Sequence, residues 1–179
     1  HPKIHSGILY KRRKYSHKKI LKKLKYESID LVISNFYPFE NILNQTKNHK
    51  KIIENIDIGG PSLVRSAAKN YNDVVVVTKI SQYKELIEEL NLFKGGTSLK
   101  FRERMSREAF GETASYEAKI YNYFNHISKR NFSEKLIVNE NLIQPLRYGE
   151  NPHQIGAIYG NQKDFNLNKL QGKDLSYNN

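Results

Sequence analysis

Two short runs constrain the fold of this chain more than any other feature: Ile29-Asp30-Leu31-Val32-Ile33-Ser34-Asn35 and Asp73-Val74-Val75-Val76-Val77-Thr78. Each has a continuous apolar, β-branched centre, without the alternation of a strand that shows one face to water. That pattern suits strands covered on both faces in a parallel sheet. The segments around them have helical texture, and alternating strand and helix implies an α/β layered fold. Two such strands are too few to build a sheet covered on both faces, so the chain reads as part of a larger domain. Its start at His1 rather than Met, and its end at Tyr177-Asn178-Asn179, fit the same expectation of a fragment.

The helical segments follow from local signals. Residues 11–14 read as a basic loop and 15–25 as a short amphipathic helix, with Ile20, Leu21 and Leu24 as its apolar stripe. Tyr37-Pro38-Phe39 ends the first strand, because proline lacks the ladder N–H and restricts the residue before it. Residues 40–55 are expected to form one helix, and Pro61 sits well in the first turn of the next, whose body is Ser62 to Lys69. Ser81 is expected to cap a helix over 82–91 with Tyr83, Leu86, Ile87 and Leu90 facing inward. Gly95-Gly96-Thr97-Ser98 opens a long helix to about Asn125, with Gly111 as a kink point. Beyond Asn131, Pro145, Gly149, Pro152, Gly156, Gly160 and Gly172 punctuate short extended pieces such as Ala157-Ile158-Tyr159. A linker near 127–142 and a new structural unit after it are therefore expected.

Composition excludes several classes. With 38% apolar residues the 179-residue chain can fill a core, so it is not a disordered tail. No run approaches the roughly 20 apolar residues needed to cross a bilayer, and the start lacks the apolar core of a signal peptide. The absence of cysteine rules out disulfides, cysteine–zinc sites and thiol catalysis within these residues and fits a cytoplasmic setting. The net charge of +12 is local, because residues 1–25 hold ten Lys or Arg and no acid. Such density can bind phosphate backbones or an anionic membrane surface. Aromatic residues are too sparse among the lysines, with only Tyr10 and Tyr15, to form a run of stacking platforms, so a solvated helix face is the preferred reading.

Three segments carry chemistry. Ser34-Asn35-Phe36-Tyr37-Pro38-Phe39 lies at the C-terminal end of the first strand, where open α/β sheets bind ligands, although an ordinary aromatic turn would look the same. In Asn55-Ile56-Asp57-Ile58-Gly59-Gly60-Pro61, two glycines and a proline before a helix allow backbone N–H groups to approach an anion or an oxyanion. A helix start capped by Asp57 accounts for the same residues equally well. Lys69 ends that helix, where lysine commonly offsets the dipole, yet a desolvated lysine can move protons. Leu146-Arg147-Tyr148-Gly149-Glu150-Asn151-Pro152-His153-Gln154 gathers an anion-binding fork, a phenol, an amide and an imidazole in one turn. His1 and His5 stand four apart but have no third ligand, which makes them structural or incidental, and no metal site is expected.

Five segments together resemble the bifunctional enzymes of purine biosynthesis, AICAR transformylase/IMP cyclohydrolase. Arg147 to Gln154 is similar to that family's RYGxNPHQ signature, and His1 to Leu9 to its HPxIHGGIL, with Ser6 in place of a glycine. Ser34 to Phe39 resembles NLYPF, Asn55 to Asn70 resembles ENIDIGGPxxxRAAAKN, and Leu170 to Asn179 resembles LxGKxLSYNN. The resemblance runs in order along nearly the whole chain. It implies that residues 1–130 are the C-terminal part of a cyclohydrolase domain, a partial Rossmann-like, methylglyoxal synthase-like three-layer fold. Residues 131–179 would be a linker and the start of a cytidine-deaminase-like transformylase domain.

The same resemblance implies formyl transfer from the cosubstrate 10-formyltetrahydrofolate to AICAR, then closure of FAICAR to IMP. It implies a homodimer in the complete protein, with no metal, no membrane and no specific nucleic acid as partners. Carried over by position, Ser34, Asn35, Asp57, Ile58, Gly59 and Gly60 would contact the cyclohydrolase nucleotide, and Lys69, Tyr37 and Asp57 would be catalytic. Arg147 and Tyr148 would bind AICAR. Spacings of 20 residues from Tyr37 to Asp57 and 12 from Asp57 to Lys69 suit one pocket. The resemblance also implies phosphate-binding loops before His1 and the transformylase's lysine–histidine pair after Asn179, so the segment alone is expected to be inactive. Two other classes remain as alternatives, a basic nucleic-acid-binding module through residues 1–25 and a nucleotide-sensing domain without catalysis.

Overall fold

The computed structural model describes residues 1–128, 131–160 and 171–178. They divide into two compact units, His1–Phe132 and Ser133–Asn179. In the first unit the two apolar runs become strands β1 (Leu31–Ile33) and β2 (Val75–Val77), paired in parallel with Val32 opposite Val76. Strand β2 is buried throughout, as a doubly covered strand should be. Strand β1 is not: Ile33 is 47% exposed, and among the described residues β1 bonds a neighbour on one side only.

Helix α1 (Pro2–Leu9) places Ile8 in the core. Ser6 lies inside this helix and not at a positive φ, so a side chain there is unstrained. Helix α2 (Tyr15–Leu24) buries only Leu21, whereas Ile20 and Leu24 of the expected apolar stripe are about half exposed. Arg12 is removed from the basic cluster by its own bonds: its guanidinium pairs with Asp30 at 2.6 Å and donates to the Ile29 and Tyr10 carbonyls.

The single helix expected over 40–55 is two, α3 (Phe39–Gln45) and α4 (His49–Glu54). Thr46 is extended between them and its hydroxyl accepts the Asn48 amide hydrogen, while the Asn48 side chain caps α4 by accepting from Lys51. Short Thr and Asn side chains outcompete helix continuation in this way. Helix α5 (Gly59–Lys69) buries Pro61, Val64, Ala67 and Ala68 and packs on both strands.

A second correction falls after β2. Ser81 caps nothing; a 3-10 turn, Ile80–Gln82, leads directly into α6 (Tyr83–Leu92). The buried Gln82 does the work through Oε1, which accepts from the amides of Thr78 and Lys79 at 2.9 Å. Of the expected inner face Leu86 is buried and Tyr83 and Leu90 pack on the core, but Ile87 is 57% exposed. The long helix α7 (Leu99–Ile127) is capped by the Ser98 hydroxyl and runs through Gly111 without interruption. Its buried residues Phe101, Met105 and Ala109 close the main core against Val64, Ala68 and the valines of β2.

The buried Asn70 joins these parts. Its Nδ2 donates to the Ile8 carbonyl at 2.8 Å and the Tyr10 carbonyl at 3.1 Å, at the end of α1, while its own amide closes α5.

The second unit is built on a hairpin of β3 (Asn141–Pro145) and β4 (Ala157–Gly160), antiparallel, with an irregular register between Leu142 and Gln144. Residues 174–177 run beside the turn: the Arg147 amide donates to the Leu175 carbonyl, and the Tyr177 amide to that of Tyr148. Leu170 and Asn179, the ends of the last family-like segment, lie outside the described residues.

Candidate functional site

Of the residues singled out in the first unit, Asn35, Tyr37, Asp57, Ile58 and Lys69 line two concavities rather than one, while Ser34, Gly59 and Gly60 lie beside them and line neither. One, of about 600 Å³, is walled by Asp57, Ile58, Arg65 and Lys69, together with Ser66 of α5 and His5 of α1. The other, of about 440 Å³, lies at the C-terminal ends of both strands and is lined by Asn35, Tyr37, Thr78, Lys79, Ser115 and Tyr116. Tyr37 and the Asp57/Lys69 set therefore do not share the single pocket suggested by their spacing. The Tyr116 hydroxyl connects the two concavities by accepting the Asp57 amide hydrogen at 2.8 Å.

Asp57 is held from two sides. Its carboxylate accepts the Gly60 amide hydrogen at 2.8 Å, which satisfies one of the free donors at the start of α5. This contact explains the glycine. A Cβ on Gly60 would lie 2.5 Å from Asp57 Oδ2, whereas a Cβ on Gly59 would meet nothing within 4 Å. Burial pushes the Tyr116 phenol above its ordinary value of 10.0, and the hydrogen bond from the Asp57 amide partly offsets that rise.

Lys69, the last residue of α5, is exposed, as is Arg65 one turn earlier, whose guanidinium sits 5.9 Å from the Phe110 ring centre. Helical side chains tilt toward the N-terminus, which brings Lys69 back along α5 toward Asp57. His5 Nδ1 lies 2.9 Å from Ser66 Oγ, and the Ser66 hydroxyl itself donates to the Ser62 carbonyl.

At the strand ends, Asn35 is committed to structure: its Nδ2 donates to the Thr78 carbonyl and its Oδ1 accepts from the Tyr83 hydroxyl. Ser34 is half-buried and continues the ladder by donating its amide to the Val77 carbonyl. Tyr37 is 56% exposed. Ion pairs at 2.6 Å, Lys79 with Glu112 and Lys119 with Glu40, keep this concavity close to neutral. Thr78 Oγ1 is buried there without a hydrogen-bond partner among the described residues.

In the second unit the turn after β3 is locked by its own polar groups. Gln154 Oε1 accepts the Asn151 amide hydrogen, and the Gly149 amide donates to the Gln154 carbonyl, both at 2.8 Å. Arg147 is exposed; its Nε donates to the Asp174 carbonyl and its guanidinium lies 5.4 Å from the Tyr148 ring centre. Among the described residues no group of three or more His, Cys, Asp or Glu is gathered as for a metal, and no helix is long and apolar enough to cross a membrane.

Tyr116, Ser66 and Arg65 were not visible as site residues in the sequence, and His5 had looked incidental. Arg65 and His5 did carry a signal, since each falls on a fixed letter of a family-like segment, whereas Ser66 stands where that pattern has alanine and Tyr116 lies in none of the segments.

These arrangements can be set beside known proteins. Residues 67–179 match the family model described as AICARFT/IMPCHase bienzyme. The whole chain aligns at 43% identity with the bifunctional purine biosynthesis protein PurH of Elusimicrobium minutum, covering 35% of it. PurH of Clostridioides difficile is 47% identical over 99% of this chain and is likewise covered over 35% of its length. The chain thus spans about a third of the curated relatives it matches. A solved structure, the crystal structure of ForH, superposes with a TM-score of 0.57 at 25% identity, covering 69% of this chain and 64% of that one. With a family match over more than half its length, in the same stretch that holds Lys69 and the Arg147 turn, the chain belongs to the AICARFT/IMPCHase bienzyme family.

Proposed function

We propose that this segment carries much of the cyclohydrolase unit, residues 1–130, and the opening of the transformylase unit, residues 131–179, of a bifunctional enzyme of purine biosynthesis. On this reading the first unit is part of a methylglyoxal synthase-like three-layer domain and the second begins a cytidine-deaminase-like fold. The complete protein takes a formyl group from 10-formyltetrahydrofolate onto AICAR, then closes FAICAR to IMP with loss of water. It works as a cytoplasmic homodimer without a metal in this segment.

The observation that carries this reading is the shared wall of Asp57, Ile58 and Lys69 around one concavity. Ring closure needs little covalent chemistry from the protein. The carboxamide nitrogen and the formamide carbon belong to one molecule, so holding them together supplies much of the acceleration. Asp57, fixed by Tyr116 and Gly60, is placed to orient the nucleotide, with Ile58, Gly59 and Gly60 beside it at the start of α5 and Ser34 and Asn35 at the end of β1, next to the neighbouring concavity. Lys69 supplies a mobile proton to the oxygen that departs. Tyr37, in the neighbouring concavity, would join these groups when the nucleotide bridges the two. Arg147 and Tyr148 form the matching contact for AICAR, a guanidinium fork beside an aromatic ring. Conversion of FAICAR to IMP by the complete protein, followed spectroscopically, tests the reading. A complete, folded protein that produces no IMP from FAICAR would overturn it.

A further inference from the structure

We propose that His5 is a further catalytic residue of the cyclohydrolase site, where its Nε2 accepts the proton that leaves the attacking carboxamide nitrogen. The proposal rests on the function proposed above and adds a residue that the chain's position-by-position resemblance does not assign.

The tautomer follows from hydrogen-bond bookkeeping. A serine hydroxyl has one hydrogen to give. Ser66 gives it to the Ser62 carbonyl at 2.9 Å, a bond from one turn of α5 to the preceding one. The contact between Ser66 Oγ and His5 Nδ1, also 2.9 Å, must then run the other way, with Nδ1–H donating. In neutral imidazole a proton on Nδ1 leaves Nε2 as a bare acceptor. Nε2 has no partner among the described residues, although His5 is half-buried in the wall of the concavity. A half-buried base with one nitrogen fixed and the other open is the arrangement that general-base chemistry requires.

Position supports the role. Ser66 and Lys69 are three residues apart on α5 and so are surface neighbours. His5, anchored on Ser66, and Lys69 line the same concavity. An acceptor and a donor of protons thus stand side by side. As the carboxamide nitrogen's lone pair bonds to the formyl carbon, its proton passes to His5 Nε2 and the formyl C=O becomes a C–O single bond. Lys69 in its ammonium form protonates that oxygen. The formamide nitrogen gives up the second proton as the C=N bond forms and the oxygen leaves as water. The proton on His5 returns to Lys69 through solvent, and no proton is gained or lost overall.

The test uses the complete bienzyme carrying His5→Ala, His5→Asn, Ser66→Ala or Lys69→Ala, with FAICAR as substrate. The amide of His5→Asn can keep the bond to Ser66 while removing Nε2, so it guards against loss of folding in His5→Ala. Both His5 variants should lower kcat at least about 100-fold, with KM changed less than about threefold. Added imidazole should restore turnover to His5→Ala in proportion to its concentration. Ser66→Ala, which frees the tautomer, should lower kcat about tenfold, the size of one hydrogen bond. Parental kcat in His5→Asn alongside an impaired Lys69→Ala would overturn the role of His5 and leave the proposed function standing. Parental kcat in both would overturn the proposed site and this proposal together. A loss in the His5 variants that imidazole does not relieve, accompanied by a lowered melting temperature, would reduce His5 to a packing role.

Discussion

The Tyr116 hydroxyl accepts the Asp57 amide hydrogen at 2.8 Å, tying the middle of α7 to the loop that starts α5 across 59 residues of sequence. Tyr116→Phe keeps the ring contacts with Phe36 and Phe39 but leaves that amide unpaired. The expected cost is about 1–2 kcal/mol of stability, readable as a lower denaturation midpoint. The pH dependence carries a sign. Burial raises the folded phenol above 10.0, so the stability it contributes is fully present below pH 10.0 and is lost as pH climbs toward the folded value. Unfolding titrations from pH 8 to 11 should show this loss in the parent, and Tyr116→Phe should flatten it.

Lys69 separates an enzyme from a nucleotide sensor. In the complete protein Lys69→Ala should reduce ring closure roughly 10²–10⁴-fold while nucleotide binding changes little. Lys69→Arg should recover little of the rate, because guanidinium holds its proton. A lysine that served only the helix dipole would contribute at most about 1 kcal/mol, and Lys69→Arg would then match the parent in rate and melting temperature. Stopped-flow turnover of the two variants decides between these outcomes.

The segment by itself should transfer no formyl group. Arg147 and Tyr148 can hold a substrate, but neither supplies an acid–base pair for the transfer. Incubation with 10-formyltetrahydrofolate and AICAR should yield no FAICAR above a buffer control.

Nucleic acid should bind weakly and without sequence preference. Lys18, Lys19, Lys22 and Lys23 are exposed along α2, while Arg12 is already consumed by Asp30 and by backbone carbonyls. Gel-shift affinity for any duplex should collapse between about 50 and 200 mM salt. Affinity that survived that range and discriminated sequences would favour a binding module instead.

Much of the scaffold was legible because its signals are local. Continuous valine gave β2, Pro61 the start of α5, and Ser98 the cap of α7. Where prediction failed, tertiary bonds had replaced local ones: Gln82 rather than Ser81 organises the turn after β2, and the Thr46/Asn48 pair splits one expected helix into two. The candidate site was legible as motifs but not as geometry. The spacing of Tyr37, Asp57 and Lys69 says nothing about a wall between two concavities, because that wall rests on Tyr116, far along the chain. His5 looked incidental for the same reason, since its partner Ser66 is 61 residues away.

Asn70 has a mechanical consequence. One side chain closes the end of α1 through the Ile8 and Tyr10 carbonyls, and the same residue's amide closes α5. The two helix ends are therefore a single rivet, set one position beyond Lys69 and three beyond His5. Slow amide exchange in the last turns of both helices should be lost together when the rivet opens, as one cooperative unit rather than by separate fraying. Its closure keeps the imidazole of α1 and the ammonium of α5 in step.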